Sequence, residues 1–178
     1  MSHTIYTIGH STHSIESFIG ILNSYQIQGL IDVRTIPKSR YNPQFAQEEL
    51  KKSLIQSNIN YRHMKNLGGL RRSVKDSPNT GWKNAGFRGY ADYMLTDEFK
   101  IALDELIELS RPGDLVYMCA EGNPFRCHRS LISDALIVRG FKVRHVSSST
   151  SMSEHQLTRF AKVNGTKIIY PEIQPNLI

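Results

Sequence analysis

Residues 115–136, LVYMCAEGNPFRCHRSLISDAL, hold both cysteines of the chain, a glutamate, a histidine and two arginines within eleven positions. An apolar run precedes these groups and a segment of helical period follows, so Cys119 ends a strand and Arg126, Cys127, His128 and Arg129 stand where a helix begins. Unpaired backbone amides and the helix dipole favour negative charge there, which makes the stretch an anion cradle with Arg126 and Arg129 at its edge. The same conditions lower a thiol's pKa, so Cys119 or Cys127 is a candidate nucleophile towards phosphorus or sulfur. Glu121 and His128 offer an acid or base beside it. A metal held by Cys119, Cys127, His128, Glu121 or His10 is the competing chemistry. Cys-x7-Cys-His lacks the short paired spacing of structural zinc, so no metal is expected. Plain packing also accounts for two cysteines of this kind.

Three other groups of residues carry chemistry. Gly9-His10-Ser11 reads as a tight turn after an apolar run, with His10 as a general acid or base, a ligand-binding imidazole, or a partner of a neighbouring loop. Asp32 and Arg34 lie two apart and share one face of a strand. Either Arg34 presents its planar fork to a phosphate or carboxylate while Asp32 holds it, or the two form an internal ion pair bracing the sheet. Lys38, Arg40 and Tyr41 follow, adding positive charge and an aromatic face that suit a nucleotide or a nucleic-acid strand.

The elements that must position these groups alternate. Strands are expected at 4–9, 29–34, 59–64, 114–119, 142–146 and 166–170. Helices are expected from Ser14 onward, at 46–57, at 88–95 and 97–109, and at 129–139 before Gly140. Ser153-x-x-Gln156 has the pattern of a capping box and predicts a helix over 154–163. Such alternation implies an α/β fold, a single domain with a mostly parallel sheet and helices on both faces. In such a sheet ligands bind outside the carboxyl ends of the strands, so His10, Asp32, Arg34, His63 and the Cys119–Arg129 stretch are expected to meet along one rim.

With 178 residues, 39% of them hydrophobic, the chain has the size of one domain with a real core. No apolar stretch is long enough to span a bilayer and the start lacks the signal-peptide pattern, so no membrane association and a cytoplasmic location are expected. Two cysteines make no disulfide framework. The net charge of +6 favours anionic partners. Residues 65–89 form a long Gly-rich basic loop that contains the only tryptophan and reads as a mobile lid, and 171–178 reads as a C-terminal tail.

YTIGHS (6–11), IDVR-x-x-P-x-S-R (31–40), NPQF (42–45), LGG (67–69), FRGYADYM (87–94) and MCAE-x-x-P-x-x-CHRSLI-x-DAL (118–136) together resemble the bacterial and archaeal family known as domain of unknown function 488. The resemblance implies a compact α/β domain and marks, beyond the residues above, Ser11, Pro37, Asn42, Phe45, Gly68, Gly69 and Tyr90; Arg88 falls in the same FRGY motif. LIDVR followed by LVYMCAEG is similar in layout to the rhodanese-like domain, whose cysteine loop encloses five residues before an arginine. Cys119 to Arg126 encloses six, with Pro124 inside.

The expected function is binding of a phosphate-bearing ligand, a nucleotide or nucleic-acid component, at the strand-end rim, with hydrolase or transferase chemistry on it. Arg34, Arg40 and Arg129 hold the anion, His10 or His128 moves a proton, Asp32 or Glu121 orients or acts as a base, and Cys119 or Cys127 is an optional nucleophile. Ser11, Tyr41, Asn42, Gly68, Gly69, Arg88, Tyr90 and Arg126 line the ligand. The alternatives are a non-catalytic nucleic-acid-binding module gripping a strand with Trp82 and Tyr41, and cysteine-dependent sulfur transfer or hydrolysis. No cofactor is identified by the residues.

Overall fold

The N-terminal apolar run forms β1 (Thr4–Gly9), and Ser14 caps α1 (Ile15–Ser24) by accepting a hydrogen bond from the Ser17 amide. There follow β2 (Gly29–Asp32), α2 (Gln47–Gln56), β3 (Asn60–His63), α3 (Ala85–Tyr93), α4 (Asp97–Ser110), β4 (Leu115–Cys119), α5 (Arg129–Val138) and β5 (Lys142–Ser148). The chain then adds β6 (Ser151–Glu154) and a separate hairpin of β7 (Lys162–Asn164) and β8 (Lys167–Ile169). The computed structural model describes residues 3–111 and 113–173. Of the expected tail at 171–178, residues 174–178 lie outside the described residues.

The six-stranded sheet has the order β3-β2-β4-β1-β5-β6 and is parallel except for β6. Alternation along the strands splits the core. Ile8, Leu30, Val116 and Met118 pack under α1 and α2 through Phe18, Leu22, Leu50 and Leu54. Ile5, Ile31, Leu115, Tyr117 and Val143 pack under α3, α4 and α5 on the other face. The fold is thus the expected single α/β domain with helices on both faces, and the parity of a residue at a strand end decides which face it joins.

Some element boundaries shift. β2 stops at Asp32, and α3 begins at Ala85 because the Asn84 side chain accepts from the Gly86 and Phe87 amides. One element is corrected outright: 154–163 is not helical. Ser151–Glu154 instead pairs antiparallel with the edge of β5. His155 gives its amide to the Val143 carbonyl and sends its ring into the interior, onto Asp134. Tertiary contacts override the local cap: the His155 ring and the Thr158 amide are held on Asp134, and Phe160 packs against Trp82.

Residues 65–89 carry a short 3-10 turn at Lys65–Leu67 and the start of α3. The carboxylate of Asp92, buried on α3, accepts hydrogen bonds from the Val74 amide, the Ser77 hydroxyl and the Asn79 side chain, which fasten the middle of the segment. Trp82 is packed against Phe87, Phe160 and Tyr170, and Arg88 donates twice to its carbonyl.

Candidate functional site

The carboxyl rim of the sheet divides between its two faces. On the α1/α2 side, the buried Asp32 carboxylate accepts from the Arg34 amide, from Nε and Nη2 of the Arg34 fork at 2.9 and 2.6 Å, and from the Tyr61 hydroxyl at 2.8 Å. The remaining arm of Arg34 approaches His10 Nε2 at 3.4 Å. His10 Nδ1 lies 2.9 Å from the Ser11 carbonyl, an acceptor only, so Nδ1 carries the proton and Nε2 accepts from Arg34. The ring stacks on Phe45 at 4.2 Å. Burial, and then the Arg34 charge, lower the His10 pKa to about 4, against the pull of the Ser11 carbonyl. Burial and the Asp32 carboxylate push the Tyr61 phenol well up. The Asp32 carboxylate, the Arg34 fork and both His10 ring nitrogens have partners at hydrogen-bond distance, so these side chains form a closed clamp.

On the α5 side, Cys119 ends β4 beside the core of that face, and a 3-10 turn over Pro124–Arg126 folds the intervening loop back to bring Cys127 and His128 onto it. His128 Nδ1 stands 3.7 Å from Cys127 Sγ and 4.0 Å from Cys119 Sγ, and the three atoms lie within 4.8 Å of one another. A hydrogen bond from the Cys119 thiol holds the Cys127 thiol well below its ordinary range, with His128 and Arg129 helping against the cost of burial. The same bond, together with burial, pushes Cys119 up.

These groups form the floor of a cleft of about 450 Å³ at the rim, walled by Arg34, Lys38 and Arg126 as cations, Glu121 as the carboxylate, and Ile36, Leu70 and Phe87 as apolar surface. Close approach shapes it. A Cβ on Gly69 would lie 2.6 Å from His128 Nδ1, and one on Gly9 would lie 1.9 Å from the Glu121 carbonyl, so both positions need glycine for space. A second cleft of about 390 Å³, at the amino ends of the strands, is lined by Gln28, Asn60, Tyr61, Arg62 and Asp114 among others and has neither cysteine nor histidine among its described lining residues.

Of the residues singled out from the sequence, the cleft brings together Arg34, Lys38, Gly69, Cys119, Glu121, Arg126, Cys127 and His128. The others stand elsewhere. Asp32, His10 and Ser11 belong to or adjoin the clamp. Arg129 is 1% exposed and turned inward, donating to the Thr7 hydroxyl and to the Glu121 and Gly122 carbonyls, so it props the loop rather than facing the cleft. Tyr90 is buried behind His128, its ring 5.0 Å from the imidazole and its hydroxyl on the Leu67 carbonyl. Gly68 packs against Thr35, and Arg88 holds Trp82. Arg40 sits over the ring of Tyr41, which is 87% exposed, and the Asn42 carbonyl accepts from the Phe45 amide.

A family profile described as "Domain of unknown function DUF488" matches residues 14–136, more than half of the chain. The chain belongs to the DUF488 family. No curated protein and no solved structure matches it significantly.

The span shared with DUF488 includes both halves of the rim except His10 and Ser11. It takes in Asp134 but not the two histidines of a network that local sequence patterns do not reveal. On the α5 face, Asp134 accepts from His155 Nε2 at 2.8 Å, from the Thr158 amide and from the Tyr170 hydroxyl, and His155 Nδ1 meets His145 Nε2 at 2.9 Å. Burial, then the neighbouring His155 and Arg129, lower the His145 pKa to about 3. His145 and Asp134 lie 10 and 21 positions before His155, so no local spacing announces the network. Among the described residues, no helix is long and apolar enough to cross a membrane.

Proposed function

We propose that this DUF488 chain binds a small phosphate-bearing anion, a nucleotide or a nucleic-acid end, in the cleft on the α5 side of the rim, and that the Cys119, Cys127 and His128 floor acts on it as a hydrolase or group transferase. One observation carries the reading: the cleft that holds the two sulfurs and the imidazole is walled by three cations and one carboxylate. An anion entering it meets Lys38 and Arg126 before it reaches the sulfurs, and partial exclusion of water strengthens those contacts. Arg34 stiffens the wall, because Asp32 holds its fork from behind. Glu121, whose Oε1 accepts from the Asn123 amide, stands at the mouth as a proton acceptor.

The test is a thermal-shift and turnover screen with nucleotides, phosphosugars and short oligonucleotides. Binding raises the melting temperature by mass action. Lys38→Ala and Arg126→Ala are expected to weaken that shift, and Cys127→Ser to remove turnover while keeping the shift. A cleft that no phosphate-bearing ligand stabilises contradicts the reading.

A non-catalytic strand-gripping module is favoured by Tyr41, 87% exposed under Arg40 in the loop that also carries Lys38. Its second proposed platform, Trp82, is packed into an aromatic cluster. That module predicts oligonucleotide binding that falls steeply with salt and with Tyr41→Ala, and that Cys127→Ser leaves unchanged.

A further inference from the structure

We propose that Cys119 Sγ, Cys127 Sγ and His128 Nδ1 are the three protein ligands of a thiophilic metal ion of the zinc type, whose fourth position opens into the cleft. The inference rests on the cleft as the working site and names the centre that would act there.

The donor atoms have the necessary spacing. Two of the three separations are 3.7 and 4.0 Å, and all are within 4.8 Å. An ion held tetrahedrally by three donors about 4 Å apart lies about 2.4–2.5 Å from each, so Zn–S bonds of about 2.3 Å and Zn–N bonds of about 2.0–2.1 Å need a closure of a few tenths of an ångström.

The histidine is independently set up as a ligand. His128 Nε2 lies 3.2 Å from the Val33 carbonyl, which can only accept, so Nε2 bears the proton and Nδ1 presents its lone pair to the two sulfurs. A carbonyl on the distal nitrogen is the usual outer partner of a metal-bound imidazole, because it fixes both tautomer and ring orientation. The ring is further clamped between Tyr90, at 5.0 Å, and Gly69, where any side chain would strike Nδ1.

The ligand set matches a catalytic site rather than a structural one. Structural zinc takes four protein ligands, whereas catalytic zinc keeps three and leaves the fourth position to water or substrate. All three donors here line the cleft, so the open position faces the space flanked by Arg126 and Lys38. A water bound there becomes a nucleophile near neutral pH and an anion's oxygen is polarised by the ion, the chemistry expected of a hydrolase acting on a phosphate-bearing substrate. The spacing Cys-x7-Cys-His conceals the set, because only the 3-10 turn at Pro124–Arg126 brings the two ends of the loop together.

The experiment is anaerobic titration of the reduced, chelator-stripped full chain with Co(II), followed by absorption spectroscopy. One equivalent is expected to bind with half-saturation below about 1 μM, a free energy near −8 kcal/mol. It should give a thiolate-to-cobalt charge-transfer band and the visible bands of a tetrahedral site, both displaced by zinc. Cys119→Ser and Cys127→Ser should each keep about half of the charge-transfer intensity, and His128→Asn should shift the visible bands and weaken binding at least tenfold. Circular dichroism checks that each variant folds, and zinc protection of the wild-type thiols from iodoacetamide gives a readout that needs no variant. An octahedral spectrum without thiolate charge transfer, binding untouched by His128→Asn, thiols that zinc leaves equally reactive, or a Cys119–Cys127 disulfide in place of the ion would each overturn the proposal. Ligand stabilisation of the cleft without a cobalt spectrum would remove the metal and leave the anion site standing, and a cobalt spectrum without ligand stabilisation would do the reverse.

Discussion

The two halves of the carboxyl rim hold similar ingredients and put them to opposite uses. On the α1/α2 face, Asp32, Arg34, Tyr61 and His10 satisfy one another at hydrogen-bond distance, and the aromatic face of Phe45 closes over the imidazole. On the α5 face, Cys119, Cys127 and His128 stand in contact without a closed bonding pattern and border a cleft of about 450 Å³. A buried charged pair that is fully bonded gives rigidity, and a cluster with unspent donors and an open side gives chemistry. Arg34 joins the two, since its fork is fixed in the clamp while its side chain lines the cleft.

If this division is right, stability and activity separate by face. The largest effect is expected from Asp32→Ala, which strands the buried Arg34 charge and should cost about 3–5 kcal/mol in urea unfolding. Cys119→Ala, across the sheet, should cost about 1 kcal/mol or less. Equal losses would erase the distinction between the halves.

Acid should act next. His10 is neutral in the folded chain down to about pH 4, whereas in the unfolded chain it takes up a proton near pH 6.5. Folding therefore releases that proton. Stability is fully present above pH 6.5, falls as the pH drops towards 4, and loses about 3 kcal/mol over that window. His145, with a pKa lowered to about 3, adds a loss of the same sign that continues to lower pH. Urea unfolding at a series of pH values should show this slope, and His10→Gln should flatten it. Tyr61→Phe removes one of the donors to Asp32 and should cost about 1–2 kcal/mol without changing ligand binding. Arg126→Ala, at an exposed position, should change stability by about 0.5 kcal/mol or less while weakening anion binding, which calorimetry would detect.

Much of this architecture follows from periodicity and caps. Ser14 caps α1, the apolar runs at 4–9 and 115–119 become parallel neighbours, and Arg129 opens α5. The helix expected over 154–163 failed because Ser153-x-x-Gln156 is a local signal, whereas the edge of β5 and the buried Asp134 make non-local demands on the same residues. At the rim, strand-end logic places Arg34, Cys119, Glu121, Cys127 and His128 together, and all five line one cleft. It cannot assign a face beyond the last strand residue, so Arg129 and His10 turn inward, away from the cleft. The contact of Cys127 and His128 with Cys119 depends on a turn whose closure no short spacing encodes. Asp134, His145 and His155 meet only after β5 and the following segment have folded across α5.

The central claim, that the α5 side of the rim is where ligand binds, can be tested residue by residue with amide NMR spectra during titration with inorganic pyrophosphate and with a nucleoside triphosphate. Saturable shifts are predicted at Thr35–Lys38, Gly69 and Ala120–His128, weakening with added salt. Shifts absent from these residues, or gathered instead around Gln28, Asn60 and Asp114 at the opposite strand ends, would contradict it.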